Sequence, residues 1–146
     1  MNILTCVDFS ESMGKVVEKA EEIAEAVSAK LWLLHVAEPE PDFVGYEVGP
    51  QSVRDSLSKR FHKEHRQIQD IAEQMRQNGI DTTALLVQGS TVETILMKAS
   101  KISADMIVVG THGKGRVYRL LVGSVSEGIL RKANCSILVV PTHNYE

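Results

Sequence analysis

Five short runs of Val, Ile and Leu, at residues 3–7, 31–36, 84–87, 106–109 and 137–140, recur along the chain with segments of helical period between them. Each run is continuously apolar rather than alternating, as a strand must be when both faces of its sheet are covered. The first intervening segment carries Val16, Ala20, Ile23, Ala24 and Val27 on one stripe, with Glu18, Lys19, Glu21, Glu22 and Glu25 over the rest of its surface. The second runs from about Pro50 to Asn78 with Leu57, Phe61, Ile68, Ile71, Ala72 and Met75, and stops at Asn78-Gly79. Ser90-Thr91-Val92-Glu93 and Ser124-Val125-Ser126-Glu127 both match the capping box. They open a third helix, with Val92, Ile95, Leu96 and Ala99 inward, and a fourth running to about Lys132 with Gly128 as a weak point. The order β-α-β-α-β-α-β-α-β predicts α/β architecture, a doubly wound parallel sheet with helices on both faces, as a single domain over residues 1–146.

Composition narrows the function classes. With 16 Lys+Arg against 19 Asp+Glu, the net charge of −3 has the wrong sign for a protein that holds nucleic acid by neutralising phosphates. The longest apolar runs are four residues, against about 20 needed to cross a bilayer, so no membrane span is expected. Met1 is followed almost at once by strand-like sequence, without the features of an export signal. Cys6 and Cys135 are the two cysteines, and no CxxC or Cys/His cluster of zinc spacing occurs, so a reducing, cytoplasmic setting is the simplest expectation. The irregular stretch at residues 37–49, with Pro39, Pro41, Gly45 and Gly49, is longer than most connections of its kind and reads as a functional loop or a mobile one. His62 and His65, among Arg54, Lys59, Arg60, Lys63 and Arg66, make the second helix locally basic; without a third ligand this is a solvated face rather than a metal site.

In an open parallel sheet the ligand crevice lies beyond the carboxyl ends of the strands, where strand order reverses. The residues that follow strands are Asp8-Phe9-Ser10, Ala37-Glu38-Pro39, Gln88-Gly89-Ser90 and the run from Gly110 to Arg116. Gly110, Gly113 and Gly115 leave backbone N–H groups uncovered, as an anion-cradling nest requires. Gly123 then precedes Ser124 at a helix start, where free N–H groups and the helix dipole favour an anion. Together the two elements could grip one polyphosphate. Ser124 can accept a capping bond and still donate its O–H to a phosphate oxygen; alternatively it is an N-cap and nothing more. The P-loop pattern GxxxxGK[ST] does not occur, and Tyr118 stands where the third glycine of a dinucleotide fingerprint would follow Gly113 and Gly115.

The chain resembles the universal stress proteins, specifically their ATP-binding branch, through Gly110-x2-Gly113-x9-Gly123-Ser124, which matches the nucleotide motif G-x2-G-x9-G-[ST] at all four positions. Val7-Asp8-Phe9-Ser10-Glu11, His35-Val36, Gly89 and the closing CSILVVP look like that family's segments, so the likeness covers essentially the whole chain. The resemblance implies an adenine nucleotide alpha hydrolase-like fold with a five-stranded parallel sheet in the order 3-2-1-4-5. It also implies that Asp8 accepts a hydrogen bond from the adenine amino group and that the backbone at Val36 pairs with the adenine edge. Gly110 and Gly113 would meet ribose and phosphates, Gly123, Ser124, Val125 and Ser126 the outer phosphates, and Val109 and His112 would line the pocket. Cys6 stands where many relatives have proline or a small residue; it either alters adenine packing slightly or is a buried, inert thiol, the reading preferred here. Cys135 opens the last strand, with strand four between it and Cys6, too far for a disulfide. Asp8 has an alternative as a charge near the first helix, Val36 one as plain strand burial, and Lys114, Arg116 and Arg119 either screen phosphate or belong to a solvated loop.

The ligand implied is ATP, or AMP or another adenylate, with Mg²⁺ entering on the phosphates rather than on protein ligands. No catalytic residue is assigned. His112 is the one general base near the glycine loop, and a lone loop histidine is a packing residue far more often than a catalyst. A nucleotide-dependent regulatory switch is preferred to an enzyme, with a nucleotide-free dimeric scaffold or slow ATP hydrolysis as alternatives. Family likeness and the apolar edge that residues 137–140 would otherwise expose point to a homodimer through the last strand, with an unknown protein partner.

Overall fold

A computed structural model describes residues 1–37, 51–111 and 124–142. The elements are β1 (Asn2–Cys6), α1 (Met13–Val27), β2 (Lys30–Ala37), α2 (Gln51–Gln77), β3 (Thr82–Gln88), α3 (Thr91–Lys101), β4 (Met106–Gly110), α4 (Ser124–Lys132) and β5 (Ser136–Val140). All four strand pairings are parallel and the order is β3-β2-β1-β4-β5, as the resemblance implied. Successive side chains of a strand point to opposite faces, so each central strand feeds two cores. Ile3, Leu31, Leu33 and Val108 pack with Val16, Ala20 and Ala24 of α1 and with Ile68, Ala72 and Met75 of α2. Leu4, Leu34, Ile107 and Val109 pack on the other face with Ile95 and Ala99 of α3 and Ile129 of α4. Apolarity without alternation is the consequence of that two-sided cover.

The helix stop after α2 is realised. Gly79 adopts φ +87, and Ile80 N–H reaches back to the Met75 carbonyl at 3.0 Å, satisfying an end-of-helix acceptor. Other local expectations are corrected. Val27, placed on the inner stripe, is 48% exposed, because α1 ends there with Ser28 in the left-handed conformation. Ser90 caps α3 with its backbone carbonyl, which accepts from Thr94 N–H at 2.9 Å, and its side chain makes no capping bond. Ser124 is the first residue of α4, and Glu127 pairs with Arg131 at 2.8 Å instead of reaching back to it. Gly128, a weak point in helix propensity, is also a packing contact, since a Cβ there would meet Val92 Cγ2 of α3 at 2.9 Å.

Candidate functional site

The order of strands reverses between β1 and β4, because β2 and β3 lie to one side of β1 while β4 and β5 lie to the other. Asp8 follows the first of these strands and Gly110 ends the second, so both stand at the crevice. Val7 N–H makes the last bond of β1 to β2, to the Leu34 carbonyl at 2.9 Å, and the chain then turns away. The turn is held by Asp8, whose Oδ1 accepts from Ser10 N–H at 3.0 Å and from Ser10 Oγ at 2.6 Å. Asp8 Oδ2 has no hydrogen bond among the described residues. Phe9, between them, has φ +56, a left-handed conformation that costs a bulky residue about 1 kcal/mol. Its ring rests against the His35 imidazole, with centroids 4.6 Å apart and planes tilted by 58°.

Departure of β1 leaves a gap in the ladder. Backbone groups of even-numbered β2 residues face β1: Lys30 N–H bonds to Met1 and the Leu34 carbonyl accepts from Val7. Odd-numbered ones face β3, as Leu31 N–H to Asp81 and the Ala37 carbonyl to Gly89 demonstrate. Val36 therefore aims its N–H and C=O to the β1 side, where the ladder has ended with the Val7 N–H bond to Leu34. Val36 thus presents a donor and an acceptor side by side at the end of β2, on the side from which β1 departs before Asp8.

At the other side of the crevice, Ser126 Oγ donates to the Gly110 carbonyl at 2.5 Å, and Ser126 is buried. Its hydroxyl thus fastens the start of α4 to the end of β4, whereas the resemblance placed it on the outer phosphates. Ser124 is exposed and Val125 half-buried in the first turn of α4, where N–H groups have no intrahelical partner. Thr111 N–H continues the ladder to the Val140 carbonyl at 3.0 Å, and Thr142 N–H donates to Thr111 Oγ1 at 3.0 Å, which ties down the segment after β5.

Cys6, Val36, Val109 and Val125 all pack in the layer that α3 and α4 cover, so the expected apolar contacts share one face of the sheet. Burial of the sulfur pushes the Cys6 thiol up to about 12, which keeps it protonated at neutral pH, in a residue that is half-buried overall. The Cys135 thiol is also raised, by burial first and then by the Asp105 carboxylate. Both thiols are free. His112, Gly113, Gly123, the loop residues Lys114, Gly115, Arg116 and Arg119, and Pro39, Pro41, Gly45 and Gly49 lie outside the described residues. Among the described residues no three His, Cys, Asp or Glu side chains are grouped to hold a metal, and no helix is long and apolar enough to cross a membrane.

A family model for the universal stress proteins matches residues 1–141, taking in both sides of the crevice. The chain belongs to the universal stress protein family. It is 34% identical over 139 residues to a universal stress protein of Thermus aquaticus, covering 94% of this chain and 96% of that one. Among solved structures, the hypothetical protein MJ0577 is 26% identical with a TM-score of 0.82, covering 99% and 97% of the two chains. A universal stress protein in complex with cAMP is 22% identical, TM-score 0.72, with 98% of each chain covered. One from Archaeoglobus fulgidus in complex with dAMP is 17% identical, TM-score 0.64, covering 96% and 97%.

In this universal stress protein one feature of the site escaped the sequence reading. Glu64 is 7% exposed on a helix otherwise read as basic surface, and its Oε2 lies 3.1 Å from His35 Nε2. His35 Nδ1 in turn bonds the Val7 carbonyl at 2.8 Å, and Arg60 Nε donates to Glu64 Oε1 at 3.1 Å. The signal was available: Phe61, Glu64, Ile68, Ile71 and Met75 follow one another at steps of three and four, so a carboxylate sits on the apolar stripe.

Proposed function

We propose that the chain binds an adenine nucleotide, ATP in the first instance, in the crevice between the Asp8 turn and the start of α4, and acts as a nucleotide-dependent regulatory switch. The observation that carries this reading is the edge made by Val36 and Asp8. Adenine presents an amino donor beside a ring-nitrogen acceptor; Val36 N–H suits the acceptor, while the Val36 carbonyl and Asp8 Oδ2 suit the donor. A 6-oxopurine presents the opposite pattern and leaves these groups mismatched. Two solved members of the family hold cAMP and dAMP, which differ at the sugar and the phosphate and share the base.

The phosphates would lie along Gly110 and the free N–H groups of Ser124, Val125 and Ser126, where the helix dipole stabilises an anion without net positive charge. Gly113, Gly123, His112 and Val109 complete the pocket in this reading, with Cys6 behind the base. Mg²⁺ enters on the phosphates themselves, since it takes few protein ligands. The β5 edge, with Ile137, Leu138 and Val139 half-buried, is the pairing surface of a homodimer in a reducing, cytoplasmic setting.

The test is substitution at the two glycines. Gly113→Val and Gly123→Val place a side chain in phosphate space, so each should abolish ATP binding in calorimetry while circular dichroism stays native. Normal ATP affinity in either variant would show the phosphate cradle to be elsewhere.

A further inference from the structure

His35 is the polar residue within the apolar run of β2, and its burial beneath the crevice is compensated by partners on two elements. The Val7 carbonyl can only accept, so His35 Nδ1 must carry a hydrogen at that 2.8 Å contact. The 3.1 Å contact between Nε2 and Glu64 Oε2 also needs a hydrogen between its atoms, and a carboxylate can only accept. Either the imidazole is doubly protonated or the carboxyl is protonated. In both cases the pair holds one proton more than a neutral histidine and a carboxylate kept apart. Arg60, donating to Oε1, favours the charge-separated form, imidazolium against carboxylate.

The consequence for the crevice follows from what His35 holds. In a continuing parallel ladder the Val7 carbonyl would accept from the Val36 backbone; here it accepts from the His35 side chain instead. That exchange keeps the Val36 N–H available and fixes Val7, the residue before Asp8. The same imidazole supports the Phe9 ring, which keeps Phe9 at φ +56 and so brings Ser10 back onto Asp8.

We infer that His35 and Glu64 form a proton-dependent clasp that positions the Asp8 turn and the Val36 edge, making adenine recognition proton-linked. The inference rests on the adenine-nucleotide reading above. Among the described residues, the charged groups that bear on His35 are Glu64 and Arg60 from α2 and, one residue beyond the Val7 carbonyl, Asp8; its β3 neighbour Leu86 is apolar, α1 meets this face of the sheet through Val16, Ala20 and Ala24, and Lys63 and His65 on α2 are exposed. When the shared proton is lost, the Nε2 lone pair faces a carboxylate and the clasp opens. Affinity therefore falls as pH rises, by up to about tenfold per pH unit for one linked proton.

The experiment is ATP titration between about pH 5.5 and pH 9, a span that includes the reference histidine range, for the wild-type chain, Glu64→Gln and His35→Asn. The amide introduced by Glu64→Gln can donate to a neutral Nε2, so this variant keeps the turn without the extra proton; the amide introduced by His35→Asn can still donate to the Val7 carbonyl but gives up the ring against Phe9, so its affinity is lower at every pH. The wild type should lose affinity with rising pH, and both variants should bind with a flat profile. A flat wild-type profile, or a variant that keeps the wild-type slope, overturns the clasp. Nitrogen-15 NMR of the nucleotide-free chain separates the two levels of the inference: the Ser10 amide shift should follow the titration of the His35 ring in the wild type and stay still in Glu64→Gln. If Ser10 follows His35 but no nucleotide binds, the clasp stands and the nucleotide reading fails; if Ser10 does not follow, the clasp fails whatever binds.

Discussion

Ser126 Oγ reaches across 16 positions of sequence to donate to the carbonyl oxygen of Gly110. Through this bond the end of β4 and the start of α4 form one rigid corner. Ser126→Ala should lower the unfolding free energy by about 1–2 kcal/mol, the net loss of a hydrogen bond that leaves a partly buried carbonyl without its donor. Chemical denaturation measures it, and ATP affinity should fall in parallel as the α4 N–H groups lose their registration. An unchanged midpoint would mean that water replaces the hydroxyl at no cost.

Gly128 and Val92 set the approach of α4 to α3. A Cβ at position 128 would stand 2.9 and 3.2 Å from the two Val92 methyls, and a β-branched side chain has few rotamers in which to retreat. Gly128→Ala gains up to about 1 kcal/mol of helix propensity and loses about 1–3 kcal/mol to overpacking. The net expectation is a lower Tm for Gly128→Ala and recovery when Val92→Ala is combined with it, a coupling that a double-mutant cycle reads directly.

Asp8→Asn separates the two tasks of this carboxylate. The amide oxygen can still accept from Ser10, so folding should be unchanged, but the amide nitrogen would meet the adenine amino group donor to donor. ATP affinity should drop about tenfold or more, the scale of a hydrogen bond to a charged group. Inosine triphosphate, which carries an acceptor at the same place, should lose far less. An unchanged ratio between the two ligands would remove Asp8 from base recognition.

Cys6 supplies a pH-dependent contribution of defined sign. Its folded thiol is pushed up to about 12 from 9.0, so the unfolded chain ionises first as pH rises. Stability from this group is complete below pH 9.0 and is lost as pH climbs toward about 12. Cys6→Ala should make the unfolding midpoint less sensitive to pH across that window. Native Cys6 should also resist alkylation until the chain is unfolded, and rapid labelling at about pH 8, near the ordinary thiol range, would contradict its burial.

Much of the fold was legible because each strand is covered on both faces and so declares itself as an unbroken apolar run. The strand order was not in the runs themselves; it came with the resemblance carried by Gly110, Gly113, Gly123 and Ser124. Thr82, Thr83 and Gln88 belong to β3 although they are polar, because their backbone groups, not their side chains, pair with β2. At the site, Asp8 and Val36 were legible as positions following or ending strands, but the reason Val36 has open backbone groups is that β1 leaves the ladder at Val7, a tertiary event. Ser126 was assigned to the outer phosphates through the resemblance, which carries no information on the distance from its hydroxyl to the Gly110 carbonyl. Glu64 was visible as a carboxylate on an apolar stripe and was hidden by the basic residues around it.

Calorimetric titration of the purified chain with ATP tests the central claim most directly. Saturable binding of one nucleotide per chain, with a rise in Tm that grows with ligand concentration, is the predicted result. No heat and no thermal shift at millimolar ATP would contradict it.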